Sequence, residues 1–389
     1  MKNPQDKSDK KLRIILAGGG SGGSVAPLLA IAESIKDLAD AEVLIIGTKT
    51  GPERIMADSA GFEFKSISAG KLRRYFSLST LIAPFYSFVG FLAARKIIKK
   101  FNADIVVGAG AYVSVPVGYA AWSLGRKLLI HQQDLVPSLS NILLAPIADK
   151  ITVSLPDSLR DFTSTHVGIV HPKIDEAVIT EEKCVLTGNP VGKKYFQASD
   201  NASNEEWKNQ AKSKLGIHGD WPILFLTGGG TGAAALNTVL EEALPELLQR
   251  FEVVHSTGKD KHINFTAERY HQFEFISDMS EVYAIADIVV SRAGMNAISE
   301  LSVESKVAVV IPMPDSHQEK NALYLHKKGA AMVYAQELIT APRLVSILTQ
   351  LLYDTERRFE LEKNISELMP RDADQKICKI ILNLCQKNR

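Results

Sequence analysis

Gly18, Gly20 and Gly23 satisfy the spacing G-x-G-x-x-G, and Gly228, Gly230 and Ala233 come within one residue of it. Glycine at such positions permits positive φ and lets a phosphate or a sugar approach the backbone. A helix starting there aims its free N–H groups and positive dipole end at the ligand. The same spacing also serves a plain strand-to-helix turn, so one such loop is a weak signal. Two nucleotide-binding classes fall away at once. A dinucleotide dehydrogenase needs an acidic residue ending its second strand, whereas the corresponding runs here end Ile45-Ile46-Gly47-Thr48 and Val254-His255-Ser256. No G-x-x-x-x-G-K-[ST] occurs, which argues against a P-loop NTPase.

Further polar groups cluster in the second half. Glu300 lies two turns beyond Ser291-Arg292-Ala293-Gly294. A carboxylate there can accept from both hydroxyls of a ribose, or simply face solvent. In the loop Pro312–Asn321, His317 and Gln318 suit sugar hydroxyls, although each also suits plain surface.

The elements that must carry these groups are short apolar strands alternating with helices. Leu12–Ala17, Glu42–Ile46, Ala103–Val107 and Lys127–Ile130 read as strands of one half. Pro222–Thr227, Phe251–His255, Phe273–Ile276, Ile288–Ser291 and Val307–Ile311 read as strands of another, with a helix over Ala234–Leu248 after the second glycine run. That alternation implies an α/β fold with parallel sheets covered on both faces. At 389 residues two domains are expected: 11–188, 189–365, and a closing helix within 366–389 that packs back toward the first domain. The turn Gly188-Asn189-Pro190 marks the boundary, and the ligand is expected in a cleft between the halves. The polar stretch 197–213 reads as a surface insertion or a loosely packed helix, and further helices follow Pro342.

A formal charge of +1 argues against nucleic acid as a partner. Cys184, Cys378 and Cys385 have no metal-ligand spacing and suit a reducing, cytoplasmic compartment. The polar N-terminus and the six-residue apolar run after it do not resemble a signal peptide. Residues 78–94 carry no charge and lie between Lys71, Arg73, Arg74 and Arg95, Lys96, Lys99, Lys100. Leu78, Leu81, Ile82, Phe85, Val89 and Leu92 fall at helical spacing. The stretch reads as a buried helix or as an interfacial helix drawn to anionic lipid through 71–100; a transmembrane span is the third reading.

Taken in order, GGGSGGSVAP (18–27), GAYVSVP (110–116), HQQD (131–134), TGNPV (187–191), GGGTGAAALN (228–237), FISDM (275–279), SRAGMNAISEL (291–301) and HQEKNA (317–322) resemble the MurG-type glycosyltransferases, over about residues 12–335. The resemblance implies a GT-B fold of two Rossmann-like domains. It implies a UDP-GlcNAc-dependent hexosyltransferase moving GlcNAc to undecaprenyl-pyrophosphoryl-MurNAc-pentapeptide in peptidoglycan synthesis, peripheral on the inner face of the membrane. By the same resemblance Glu300 binds the ribose and the backbone at Ile276 the uracil. Gly229, Gly230, Thr231 and Gly232 face the diphosphate with Met295 and Asn296 nearby, and His317 and Gln318 contact the GlcNAc. Gly19, Gly20, Ser21, Gly22, Gly23 and Tyr112 line the acceptor pocket, supported by Asn141, with His131, Asp134 and Ser24 as the catalytic candidates. Neither a cofactor nor a protein-held metal is expected, because preorganised N–H groups can stabilise the leaving diphosphate.

The sequence departs from that family's pattern at polar positions. Ser24 stands where a histidine is usual, Gln132 where a glutamate is usual, Gly192 where an arginine is usual and Gly230 where a serine is usual. Lone serine is a poor proton acceptor near neutral pH, though it can cap a helix. Three readings remain open at this point: an active enzyme using His131 or Asp134 as base, a transferase for another acceptor, and a catalytically weakened binder of UDP-sugar or lipid.

Overall fold

The computed structural model describes residues 11–20, 22–70, 78–164, 182–201, 203–229, 233–276 and 278–386. They form two compact units. The first holds the described residues up to Gln133, Pro137–Pro190 and those from Asp372 onward; the second holds Asp134–Val136 and Val191–Arg371. From the sequence the boundary falls at 188/189 and the closing segment starts at 366. The structure instead keeps residues through Arg371 with the second unit and adds to it the short segment at Asp134.

In the first unit β1 (Leu12–Ala17), α1 (Ala26–Leu38), β2 (Ala41–Gly47), α2 (Glu53–Ser59), β3 (Glu63–Ser66), α3 (Leu78–Phe101) and β4 (Ile105–Gly108) are followed by α4 (Ala111–Ser123), β5 (Lys127–Gln132), α5 (Leu139–Leu144), β6 (Lys150–Val153), α6 (Pro156–Ser164) and β7 (Cys184–Leu186). Among the described residues these strands make a parallel seven-stranded sheet in the order β3-β2-β1-β4-β5-β6-β7. The period-two pleat sends Ile14 and Leu16 to one face and Ile15 and Ala17 to the other, and each face has its own apolar core.

The second unit runs α7 (Lys193–Asp200), α8 (Glu205–Lys214), β8 (Ile223–Thr227), α9 (Ala234–Leu247), β9 (Glu252–Ser256), β10 (Tyr270–Phe273), α10 (Met279–Ile285), β11 (Ile288–Ser291), α11 (Met295–Val303), β12 (Ala308–Val310), α12 (Gln318–Lys327), β13 (Met332–Val333), α13 (Ala341–Tyr353) and α14 (Thr355–Ser366). Its parallel sheet has the order β10-β9-β8-β11-β12-β13. The last helix, α15 (Ala373–Gln386), belongs to the first unit, where Ile377, Cys378 and Ile381 share a core with Leu28, Ile31 and Ile35 of α1.

Three expectations change. The strand expected at Phe273–Ile276 lies at Tyr270–Phe273, because buried Tyr270 pairs with Val253 while apolar Phe275 is 75 % exposed. The polar stretch 197–213 is divided between α7 and α8, and α8 is capped by the Asn204 side chain accepting from the Trp207 N–H at 3.2 Å. The helix α3 is not a buried one over Phe85–Leu92. Phe85, Phe88 and Leu92 are 65 %, 57 % and 51 % exposed, and with Val89 they follow the i, i+3, i+4, i+7 spacing of one face. Ala94 and Ile98 anchor its later turns in the core. Lys71, Arg73 and Arg74 lie outside the described residues. Among the described residues no helix is long and apolar enough to cross a membrane.

In both sheets the strand order reverses beside the first strand of the unit, at β1/β4 and at β8/β11. Ligands of open α/β sheets collect beyond the carboxyl ends of strands at such switch points. Each glycine run follows β1 or β8, so each lies at one.

Candidate functional site

At the first switch point Gly20 turns the chain with φ +83°, and a Cβ there would strike the ring of Tyr112. The loop is held from inside. The Gly19 N–H donates to Ser24 Oγ at 3.0 Å, and the Gly20 N–H donates to both carboxylate oxygens of Glu53 at 3.2 and 3.3 Å. Glu53 is fully buried at the start of α2 and also accepts from the Thr48 N–H at 2.6 Å and from the Thr48 hydroxyl. The phenol of Tyr112 hydrogen-bonds Thr48; burial raises its pKa, with the negative charge of Glu53 adding to the rise. Gly22 and Ser24 form a short 3-10 turn leading into α1, with Ser24 buried. Ser21 lies outside the described residues.

His131, at the end of β5, is fully buried with both ring nitrogens engaged: Nδ1 lies 3.0 Å from Thr152 Oγ1 and Nε2 3.0 Å from Asn189 Oδ1. Burial lowers its pKa to about 4, so it is neutral near pH 7. A neutral ring that donates its Nε2–H to Asn189 Oδ1 and accepts the Thr152 hydroxyl hydrogen bond at Nδ1 has no lone pair left for a substrate hydroxyl. The geometry makes His131 a brace. Its carbonyl accepts from Asn141 Nδ2 at 3.0 Å, and the same amide donates to Gln132 Oε1 at 2.8 Å. Gln132 Oε1 also accepts the Ser138 N–H at 3.1 Å, two bonds that a glutamate oxygen would accept equally. Gly192 precedes α7, and a Cβ placed on it meets nothing within 4 Å.

Asp134 joins the second unit. Its Oδ1 accepts from Asn321 Nδ2 at 2.9 Å and lies 3.7 Å from His317 Nε2, with its side chain 30 % exposed. Asn321 ties three segments together, since it also donates to the Ala293 carbonyl at 3.0 Å and accepts the Leu135 N–H at 3.1 Å. His317 and Gln318 stand at the start of α12, where Gln318 Oε1 takes the Met313 N–H at 3.1 Å and its amide approaches Gly294.

At the second switch point Gly229 has φ +78°, and its N–H donates to Thr227 Oγ1 at 3.1 Å. Gly230, Thr231 and Gly232 lie outside the described residues. Among the described residues the helix α9 starts without a side-chain cap, and so does α11, where Met295 is buried and Asn296 half-buried. Glu300 sits further along α11, hydrogen-bonded by the hydroxyls of Tyr195 and Tyr283. Burial pushes its pKa up to about 7, while the two tyrosines and nearby Lys194 pull it down. Lys194 itself pairs with Asp278, the cap of α10, at 3.2 Å, two residues beyond Ile276. Arg292 faces inward, donating to the carbonyls of Ile311 and Pro312 and to Gln336 Oε1, which braces two loops.

Each unit therefore gathers its own set: Gly20, Tyr112, Thr48 and Glu53 in the first; Asp134, Asn321 and His317, and separately Glu300 with its tyrosines, in the second. Glu53, Tyr195 and Tyr283 carry no motif signal in the sequence, and the role of Asn321, within the HQEKNA run, emerges only from its contacts. Among the described residues no group of three or more His, Cys, Asp or Glu side chains is arranged to hold a metal ion.

Residues 14–153 match the family described as the glycosyltransferase family 28 N-terminal domain, and residues 223–377 match the glycosyltransferase family 28 C-terminal domain. The chain is 33 % identical over 393 residues to a protein of Desulfitobacterium hafniense (strain Y51), with 97 % of this chain and 100 % of that one covered. It is 35 % identical over 377 residues to one from Lachnospira eligens, with 95 % and 98 % covered. Both relatives are named UDP-N-acetylglucosamine–N-acetylmuramyl-(pentapeptide) pyrophosphoryl-undecaprenol N-acetylglucosamine transferase. Among solved structures, Acinetobacter baumannii MurG superposes with a TM-score of 0.67 at 24 % identity, covering 96 % of this chain and 99 % of that one, a likeness of fold.

Proposed function

The chain belongs to glycosyltransferase family 28, in its MurG-type branch, and from that premise we propose that it transfers GlcNAc from UDP-GlcNAc to a polyprenyl-pyrophosphoryl-MurNAc-pentapeptide with inversion. The observation that carries the reading is the second unit's pair of groups: Glu300 set between two tyrosine hydroxyls on α11, and Asp134 held by Asn321 beside His317. Glu300 accepts the ribose hydroxyls in its ionised form, with the uracil at Ile276. The second glycine run, the uncapped start of α9 and the first turn of α11 face the diphosphate, and His317 and Gln318 the sugar. Asp134 takes the proton from the acceptor hydroxyl as that oxygen attacks the anomeric carbon. The bond to UDP breaks with both electrons leaving on the diphosphate, where N–H groups stabilise the charge. Between the two candidates for base, the closed hydrogen bonding of His131 favours Asp134. On the first unit, Gly19–Gly23 and Tyr112 would line the acceptor site, with Asn141 supporting it.

We also place the protein at the inner face of the membrane, with α3 as the contact. Its exposed Phe85, Phe88 and Leu92 precede exposed Arg95, Lys96, Lys99 and Lys100, a combination suited to anionic headgroups over acyl chains. Flotation with anionic vesicles should show binding that weakens with salt; no binding would favour a soluble acceptor. The transfer itself is tested with radiolabelled UDP-GlcNAc and a lipid I analogue. One observation favours a weakened relative, namely that the Ser24 hydroxyl is committed to Gly19. UDP binding without any transfer would establish that reading instead.

A further inference from the structure

The loop that follows β1 is anchored by a residue outside its own motif. Glu53 is fully buried, 33 residues from Gly20, and its carboxylate takes donors from two separate segments, Gly20 on one side and Thr48 on the other. Its surroundings are built from glycine: a Cβ on Gly19, Gly47 or Gly51 would run into the Glu53 side chain. Thr48 extends the connection, since its hydroxyl donates to Glu53, accepts the Gly51 N–H at 3.1 Å and hydrogen-bonds the Tyr112 phenol. Tyr112 in turn lies against Gly20, where no Cβ would fit. The circuit closes, so moving one member moves the rest.

We propose that Glu53 is a positioning residue for the acceptor half of the reaction, fixing the first glycine loop and Tyr112 in one arrangement through Gly20 and Thr48. This rests on the assignment of that loop to the acceptor. Glu53 does not touch substrate; it acts through the loop backbone and the phenol. The N–H of Gly20 is directed at this internal carboxylate, so the loop is set for the acceptor by shape and by Tyr112 rather than by presenting that N–H.

The test compares Glu53→Gln and Thr48→Val with the native full-length chain. Glu53→Gln replaces one accepting oxygen by a donor that faces the Gly20 and Thr48 donors. It is expected to lower kcat/KM for a lipid I analogue about tenfold to a hundredfold, the range for a misplaced reacting group. The KM for UDP-GlcNAc and the affinity for UDP are expected to stay unchanged. Thr48→Val keeps Glu53 and removes only the hydroxyl link, so its loss should be smaller; it carries the test if Glu53→Gln does not fold. Hydrogen exchange read by mass spectrometry should rise over 18–25 in either variant and stay level over 234–247. Unchanged acceptor kinetics despite faster loop exchange would overturn the proposal, as would equal loss for donor and acceptor. Because the exchange comparison does not depend on transfer, an inactive native chain would refute the assigned reaction while leaving the hold of Glu53 on the loop separately measurable.

Discussion

The two glycine loops follow equivalent strands in equivalent sheets, yet their surroundings differ. In the first, the Gly19 and Gly20 N–H groups are taken by side chains of the same unit, Ser24 and a buried carboxylate. In the second, among the described residues, the Gly229 N–H donates to the hydroxyl at the end of its own strand, and Ala233 ahead of α9 supplies no side-chain cap. A loop whose donors already meet a carboxylate is poorly suited to a phosphate. A helix start that shows no side-chain cap among the described residues suits it better. Nearby, the units converge again. Buried His131 and His255 each have both ring nitrogens bonded, one of them to an asparagine Oδ1, and burial holds both near pKa 4. Motif spacing thus locates a loop, and the acceptors around it decide its task.

Four experiments would break or sharpen that contrast. The largest effect is expected from Asp134→Asn, which should lower turnover about 10²- to 10⁴-fold, the usual contribution of a general base, with UDP affinity intact. A comparable loss of turnover in a folded His131→Gln variant would return the proton transfer to the first unit. Next, Ala234→Glu gives the second loop a built-in carboxylate like that of the first. Calorimetry should show UDP binding weakened roughly tenfold, in line with helix-terminus charge effects of up to ~2 kcal/mol, and unchanged affinity would argue that α9 does not face the diphosphate.

The third concerns Glu300, whose pKa lies at about 7. If the ionised form binds ribose, UDP affinity should rise about tenfold from pH 6 to 8, following the ionised fraction, and Glu300→Gln should flatten the profile. The sign for the unliganded fold is opposite. A raised folded-state pKa contributes stability below the ordinary carboxylic range that is lost as pH rises through about 7. Thermal shift should therefore show UDP stabilising the protein more at pH 8 than at pH 6. The smallest effect is expected from Ser24→Ala, which leaves the Gly19 N–H without its acceptor and should cost about 1 kcal/mol. A loss of turnover far beyond that destabilisation would restore a chemical role to the serine.

Much of this organisation was legible from short apolar runs. Ile14–Ala17 of β1, Val43–Ile46 of β2, Ile223–Leu226 of β8 and Ile288–Val290 of β11 are continuous apolar stretches, as strands buried on both faces must be. Where solvent intervened, the reading slipped: Phe275 looked like strand and is exposed, and β13 is a two-residue edge with almost no signal. The motif residues were found because spacing marks them. Glu53 and Tyr195 were not, because their significance lies in contacts with Gly20 and Glu300 far away in the chain, which periodicity cannot register. His131 shows the limit of a motif, since a histidine in a polar run reads as chemistry, while its burial and its two hydrogen-bond partners are visible only in the fold.

The packing of α15 on α1 has a consequence for the order of synthesis. Leu28, Ile31 and Ile35 are fully buried, and their core includes Ile377 and Ile381. During translation the whole second unit, Val191–Arg371, must leave the ribosome before that face can be covered. At about 5–20 residues per second this leaves an apolar helix face waiting for roughly 10–40 s. The half that is made first is thus the half completed last, and its bare α1 surface is where a nascent-chain chaperone would be expected to bind.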